Sequence, residues 1–260
     1  MILSITNLLL GLLLLAVPVY AIYTYDRLTL KKSALAVVRM LVQISVMGGC
    51  LWAVYHFNSI WINLLWLMVL MLAAAFLMVS RTCIRSRILF LPAFLGMLVS
   101  VLVVSCYVLF AILRPEHPMS ARWFVPITGV LTAHVLTTGL YAIRTYFDSL
   151  SQDSQPYYTL LGNGASRMKA LAPYITRALR SMTTPAVAYL SAMGLFVMPM
   201  LLSGLLGGGM APLEAIALFV LLILASMASS VLSVGLTIWL SCRYTFDKQG
   251  RILPVFTPKA

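Results

Sequence analysis

Acidic residues are scarce in this chain: six Asp and Glu stand against 18 Lys and Arg in 260 residues, and charged residues of both signs make up only 9%. A soluble domain normally carries about 25% charged residues, so this composition excludes an ordinary water-soluble fold. Histidine (three) and cysteine (four) are also rare. Cys50 and Cys106 fall inside apolar runs and Cys83 and Cys242 at their ends, with no pair at metal-ligand spacing. Walker A, GxSxG and HExxH sequences and paired carboxylates are all missing. The chain therefore shows no hydrolytic engine and calls for no cofactor. Movement of a solute against its gradient would draw energy from a partner or an ion gradient.

What the chain has in excess is apolar sequence, 62% of residues, with a mean hydropathy of +1.00. A helix needs ~20 apolar residues to cross ~30 Å of hydrocarbon. Seven stretches qualify: roughly 2–23, 34–56, 60–80, 88–113, 123–143, 183–203 and 212–241. They are too long and too continuously apolar for the alternating strands of a barrel, which leaves helices that satisfy their own backbone hydrogen bonds. The expected fold is an all-α polytopic membrane protein with about seven transmembrane helices.

The net charge of +12 would suggest nucleic acid in a soluble protein. Here the basic residues cluster in alternate loops and report topology, with no nucleic-acid partner. Arg27, Lys31 and Lys32 follow the first span; Arg81, Arg85 and Arg87 the third; Arg144, Arg167, Lys169, Arg177 and Arg180 the fifth; Arg243, Lys248, Arg251 and Lys259 the last. Arg114 and Arg122 fall on the opposite side and Arg39 inside a span. That bias puts the N-terminus outside and the C-terminus in the cytoplasm of a multi-pass protein in the inner (plasma) membrane. A secretory signal cleaved after Val19-Tyr20-Ala21 is the competing reading of the first span, although the segment lacks a basic start.

Residues 1–260 read as one transmembrane domain, with 144–182 as its cytoplasmic, amphipathic insert. Tyr146 to Pro156 is polar and fits either a loop or a helix extension. From Tyr157 to Met182 apolar residues recur at helical spacing between Arg167, Lys169, Arg177 and Arg180, which predicts interfacial helices broken at Gly162-Asn163-Gly164 and bent near Pro173. A run rich in proline and glycine from Pro199 to Ala215 marks the place where the chain turns back into the bilayer. Asn58-Ser59 is long enough only for a tight turn between the second and third spans.

Four residues are candidates for a transport path. Arg39 lies about two turns into the second span with Gln43 on the same face; a charge there is costly, and snorkelling to the headgroups is the alternative. His134 sits mid-span beside Thr128, Thr132, Thr137 and Thr138, whose hydroxyls are expected to find partners within the bundle; an interhelical hydrogen bond is its alternative role. Glu214 follows Pro212, where it either stabilises a helix start or meets a cationic substrate at the outer mouth. His56 and His117 are assigned no role, and no metal site is expected within one chain.

Four sequence blocks carry a family resemblance: Val38-Arg39 with Gln43-Ile44 and Gly48; Val125-Pro126-Ile127-Thr128-Gly129; Leu161-Gly162-Asn163-Gly164-Ala165 leading to Arg177-Ala178-Leu179-Arg180 and Pro185; and Pro199 with Ser203-Gly204, Gly208, Pro212 and Ala215. In order and spacing they resemble the FetB-like permeases, bacterial membrane subunits of iron-export ABC transporters related to plant aluminium-tolerance permeases. The resemblance implies a homodimeric permease joined to a separately encoded ABC ATPase subunit and exporting iron or another metal cation by alternating access. On the same basis Leu161, Gly162, Asn163, Gly164 and Ala165 become the ATPase-coupling segment, and Gly204, Gly207, Gly208 and Gly209 a hinge. Departures fall on the polar lining: Met200, Leu205, Ala133-His134 and Ala217-Leu218-Phe219 replace residues that are smaller or more polar in the family. They keep open an organic or lipid-like solute as cargo, and a membrane scaffold without transport as the reading from another class.

Overall fold

The computed structural model describes residues 20, 27–82, 89–196, 198–247 and 251–253. Within them the chain is helical almost throughout, as it must be where lipid offers the backbone no hydrogen-bond partners. The helices are α1 (Arg27–Phe57), α2 (Ile60–Arg81), α3 (Phe90–Cys106) continued by a π-helical segment (Tyr107–Leu113), α4 (Ala121–Gln152), α5 (Gln155–Gly162), α6 (Arg167–Phe196), α7 (Met198–Gly207) and α8 (Pro212–Thr245). Among the described residues five stretches are long and apolar enough to cross a membrane: Val37–Phe57, Ile60–Arg81, Phe90–Leu113, Ala121–Gln152 and Pro212–Thr245. Most of the expected span 2–23 lies outside the described residues, and the expected span 183–203 is shared between α6 and α7.

Two compact units make up the chain, Met1–Phe57 and Asn58–Ala260. In the first, α1 begins seven residues before the expected apolar span, so its basic stretch is helical rather than a loop. In the second, α8 packs along α3 and α4, α4 also packs against α2 and α6, and α5 packs against α6. The core runs through Met71 and Met78 of α2, Met97 and Val101 of α3, Leu131 and Val135 of α4, Leu171 of α6 and Ile238 of α8. Large apolar side chains also point outward, among them Trp61, Leu65, Phe76 and Leu213, as lipid permits.

Small hydroxyl residues line α8: Ser226, Ser229, Ser230, Ser233, Thr237, Ser241 and Thr245 are all buried, and Ser233 and Thr237 face α3 at Gly96. Against them Gly96 lets the backbones touch: a Cβ at Gly96 would collide with Thr237 Oγ1 and lie 3.0 Å from the Thr237 nitrogen. Close approach over small residues is how helices gain van der Waals contact where lipid removes the hydrophobic drive.

For Tyr146 to Pro156, which fits either a loop or a helix extension, the chain takes the helix, carrying α4 on to Gln152. Pro173 and Pro185 both lie inside α6, which runs through them from Arg167 to Phe196; a proline removes one backbone donor, and the remaining ladder suffices to keep the helix going. The fourth span ends in a π-helical turn closed by Arg114, whose N–H donates to Leu109 O at 3.0 Å and whose φ is +44°. The expected break at Gly162-Gly164 and the two-residue turn at Asn58-Ser59 are both present.

Candidate functional site

The basic end of the second unit, where α2 and α4 finish, α6 begins and α8 finishes, carries the most organised polar structure outside the helix interiors. Its centre is α5. Eight residues make a helix too short to be stable alone, so its position depends on its attachments. Tyr157 is fully buried and its ring lies 5.3 Å from that of Phe246, the residue after α8. Leu160 and Leu161 pack on the core. Tyr174 of α6 donates its hydroxyl to the Asp153 carbonyl at 2.5 Å, and Arg177 pairs with the Asp153 carboxylate at 3.9 Å, which fixes the α4–α5 turn to α6. Burial pushes the Tyr157 phenol above its ordinary range, with Arg167 pulling it partly back. Burial likewise raises Tyr174, opposed by a backbone hydrogen bond from the Tyr157 side.

The end of α5 has a definite geometry. Ala165 N–H donates to Leu160 O and Gly164 N–H to Leu161 O, both at 3.0 Å, with Gly164 at φ +81°. This is a Schellman cap, in which the left-handed residue satisfies the last carbonyls of the helix. It leaves Gly162, Asn163 and Gly164 exposed as the tip of the segment. The five residues singled out from the sequence therefore stay together, as the last turn of α5 and its cap.

The glycine cluster at the opposite end is built the same way. Met210 N–H donates to Leu205 O at 3.2 Å and Gly209 N–H to Leu206 O at 2.9 Å, with Gly209 at φ +85°. Gly204 and Gly207 lie in α7, Gly208 and Gly209 in the turn that follows. Beyond it Glu214 occupies the first turn of α8, after Ala211 as N-cap and Pro212. Glu214 also borders an open cleft of about 430 Å³ formed by Ile112, Leu113, Trp123, Met210, Leu218 and Leu221. At this end Asn58 Oδ1 accepts from Ala121 N–H at 2.8 Å and Asn63 Nδ2 donates to Met119 O at 2.7 Å, tying the 114–120 loop to the start of α2.

The remaining candidates are not gathered into one site. Arg39 and Gln43 stand one turn apart on α1, in the first unit. His134 is half-buried on α4. The threonines around it turn inward on their own helix: Thr128 donates to Phe124 O at 2.7 Å, Thr132 to Thr128 O at 2.6 Å, Thr137 to Ala133 O at 3.0 Å and Thr138 to His134 O at 2.7 Å. The hydroxyls thus find their partners within the bundle, on their own helix, because a helical threonine reaches the carbonyl four residues back more readily than a neighbouring helix. Among the described residues no group of three His, Cys, Asp or Glu side chains could hold a metal ion.

Sequence reasoning missed two features. The buried hydroxyl stripe of α8 was visible as spacing at 226, 229, 230, 233 and 237. The antiparallel bridge between Phe246 and Ile252 follows the last span, where the basic residues of the sequence signal only topology.

A helical bundle with several apolar helices of membrane-crossing length defines an all-α, multi-pass membrane protein. The chain belongs to an uncharacterised protein family, UPF0014, whose sequence model matches residues 5–246. It is 28% identical over 218 residues to "UPF0014 membrane protein slr1647" of Synechocystis sp., covering 83% of both chains. It is 23% identical over 262 residues to "Probable iron export permease protein FetB" of Escherichia coli, covering 96% of both. To "Protein ALUMINUM SENSITIVE 3" of Arabidopsis thaliana it is 27% identical over 129 residues, 48% of this chain and 47% of that one. No solved structure matches. One of these relatives is thus named as a permease, and this chain is similar to it over nearly its full length.

Proposed function

We propose that the chain is the membrane subunit of an ATP-driven exporter in the inner (plasma) membrane, working as a homodimer with a separately encoded ABC ATPase. The observation that carries the reading is α5 with its glycine cap: a short helix fastened to the bundle by Tyr157, Leu160 and Leu161, with an exposed tip at Gly162-Asn163-Gly164. A helix of that kind suits a groove on a partner protein, because its apolar roots hold its orientation while its tip stays free. Iron or another metal cation is the proposed cargo, on the strength of the relative named as an iron export permease. The protein itself performs no hydrolysis in this scheme.

Co-purification of the full chain with candidate ATPases in nanodiscs tests the reading, followed by ATPase assays with and without Fe²⁺. A stable complex whose turnover rises with Fe²⁺ is the expected result. Failure of every candidate ATPase to bind would sink it.

One observation favours a second cargo. The cleft beside Glu214 is walled by Ile112, Leu113, Trp123, Leu218 and Leu221 with a single carboxylate at its edge. That lining suits an organic cation with an apolar body better than a hydrated metal ion. A complex whose ATPase ignores Fe²⁺ and responds to such a cation would select it.

A further inference from the structure

Phe246 is the meeting point of three helices. Its ring lies 5.3 Å from that of Tyr157 on α5 and 5.6 Å from the guanidinium carbon of Arg167, the first residue of α6, while its backbone continues α8. The chain then folds back on itself. Phe246 pairs with Ile252 in an antiparallel bridge, Asp247 N–H donates to Arg251 O at 3.0 Å and Leu253 N–H to Thr245 O at 3.0 Å. The returning residues reach α5 and α6 again: Ile252 N–H donates to the Tyr158 hydroxyl at 3.3 Å, and Arg167 Nη2 donates to the Asp247 carbonyl at 3.4 Å. Phe246 is 6% exposed and Tyr157 is buried, so at least the ring contact is a packed one.

We infer that this C-terminal bridge is a coupling element, which ties the tip-bearing helix α5 to the end of α8 so that displacement of the one moves the other. The inference rests on the reading of α5 as the ATPase contact. Three physical facts support it. First, α5 is too short to hold its own position, and the side chain that closes its buried face belongs to the α8 terminus. Second, Arg167 meets the bridge at two points, a ring face and a carbonyl, so a shift of α6 against α8 acts on both. Third, α8 lies close on α3 at Gly96, where a Cβ would sit 3.0 Å from the Thr237 nitrogen and 3.1 Å from the Ser233 carbonyl oxygen. Close-packed elements move as bodies rather than deform. A push on α5 therefore arrives at the far end of α8.

The test reads that far end directly and needs no knowledge of the cargo. Leu213, exposed in the first turn of α8, is changed to Cys in a full-length chain whose native cysteines are replaced by serine. A fluorophore there reports any ATP-dependent shift in the complex with the ATPase. The labelled parent is expected to show the shift. Arg167→Gln and Phe246→Leu are expected to bind the ATPase while the shift falls about fivefold or more, and Phe246→Tyr, which keeps the ring face, is expected to retain it. Arg167→Gln empties no core volume, so it keeps the test sound if Phe246→Leu folds badly. A shift undiminished in Arg167→Gln and Phe246→Leu overturns the coupling role of the bridge, as does a parent complex that shows no shift. A parent that binds no ATPase instead removes the transporter reading on which this role depends.

Discussion

Gly162 and Gly164 are two positions apart and stand in opposite backbone conformations. Gly164 holds φ +81° in the cap of α5, whereas Gly162 is still helical, with open space where a Cβ would go. An L side chain in the left-handed region costs about 1–2 kcal/mol, and alanine is better than glycine in a helix by about 0.5–1 kcal/mol. Gly164→Ala should therefore lower the melting temperature of the purified chain, while Gly162→Ala should hold or raise it. Equal effects of the two substitutions in thermal unfolding would count against the cap. Tyr157 and Tyr174 give a second residue-level prediction. Burial raises both phenols, so the folded state favours their neutral form. That stabilisation is complete below the ordinary tyrosine pKa and is lost as pH climbs through the raised values. Alkaline absorbance titration should show each of Tyr157→Phe and Tyr174→Phe removing a late-titrating phenol. The role of Tyr157 was not legible in the sequence, where it marked only the start of an apolar periodicity; its partner Phe246 lies 89 positions away in a tail that was read for charge.

Among the elements, α3 and α8 form the contact least visible to hydropathy, since its residues are hydroxyls and a glycine inside spans that read as uniformly apolar. The signal was the spacing of Ser226, Ser229, Ser230, Ser233 and Thr237, one face at helical period. Two substitutions probe it with opposite signs. Gly96→Ala forces a methyl into the Thr237 backbone and should destabilise by about 1–3 kcal/mol through overpacking. Thr237 Oγ1 is buried without a hydrogen-bond partner among the described residues. Thr237→Val removes that unsatisfied group at nearly constant shape and should recover up to about 1–3 kcal/mol, seen as a higher melting temperature in detergent. Polarity leaves residues 146–156 open between loop and helix on paper; α4 carries Ser149, Ser151 and Gln152, and α6 carries Pro173, because neighbouring helices and the intact ladder outweigh local propensity.

At the scale of the whole molecule, composition alone made the multi-pass helical architecture legible, and the basic residues supplied an orientation that accessibility can check. In a cysteine-free background, Asn163→Cys should react with a membrane-impermeant maleimide only after permeabilisation, and His117→Cys should react in intact cells. The reverse pattern would invert the topology. The polar residues of α4 gave the least secure reading, because a threonine in a span looks the same on paper whether it bonds outward or to its own carbonyls. That it bonds to its own has a mechanical result. Along the middle of α4 the hydroxyls of Thr128, Thr132, Thr137 and Thr138 are all served by its own carbonyls, and no interhelical hydrogen bond from them has to break for the helix to turn. Like a greased spindle, that stretch of α4 is held by the fit of its surface, such as the Met78 methyl lying against Gly139, whereas nearer its end the Tyr146 hydroxyl meets Cys242 Sγ of α8 at 3.9 Å.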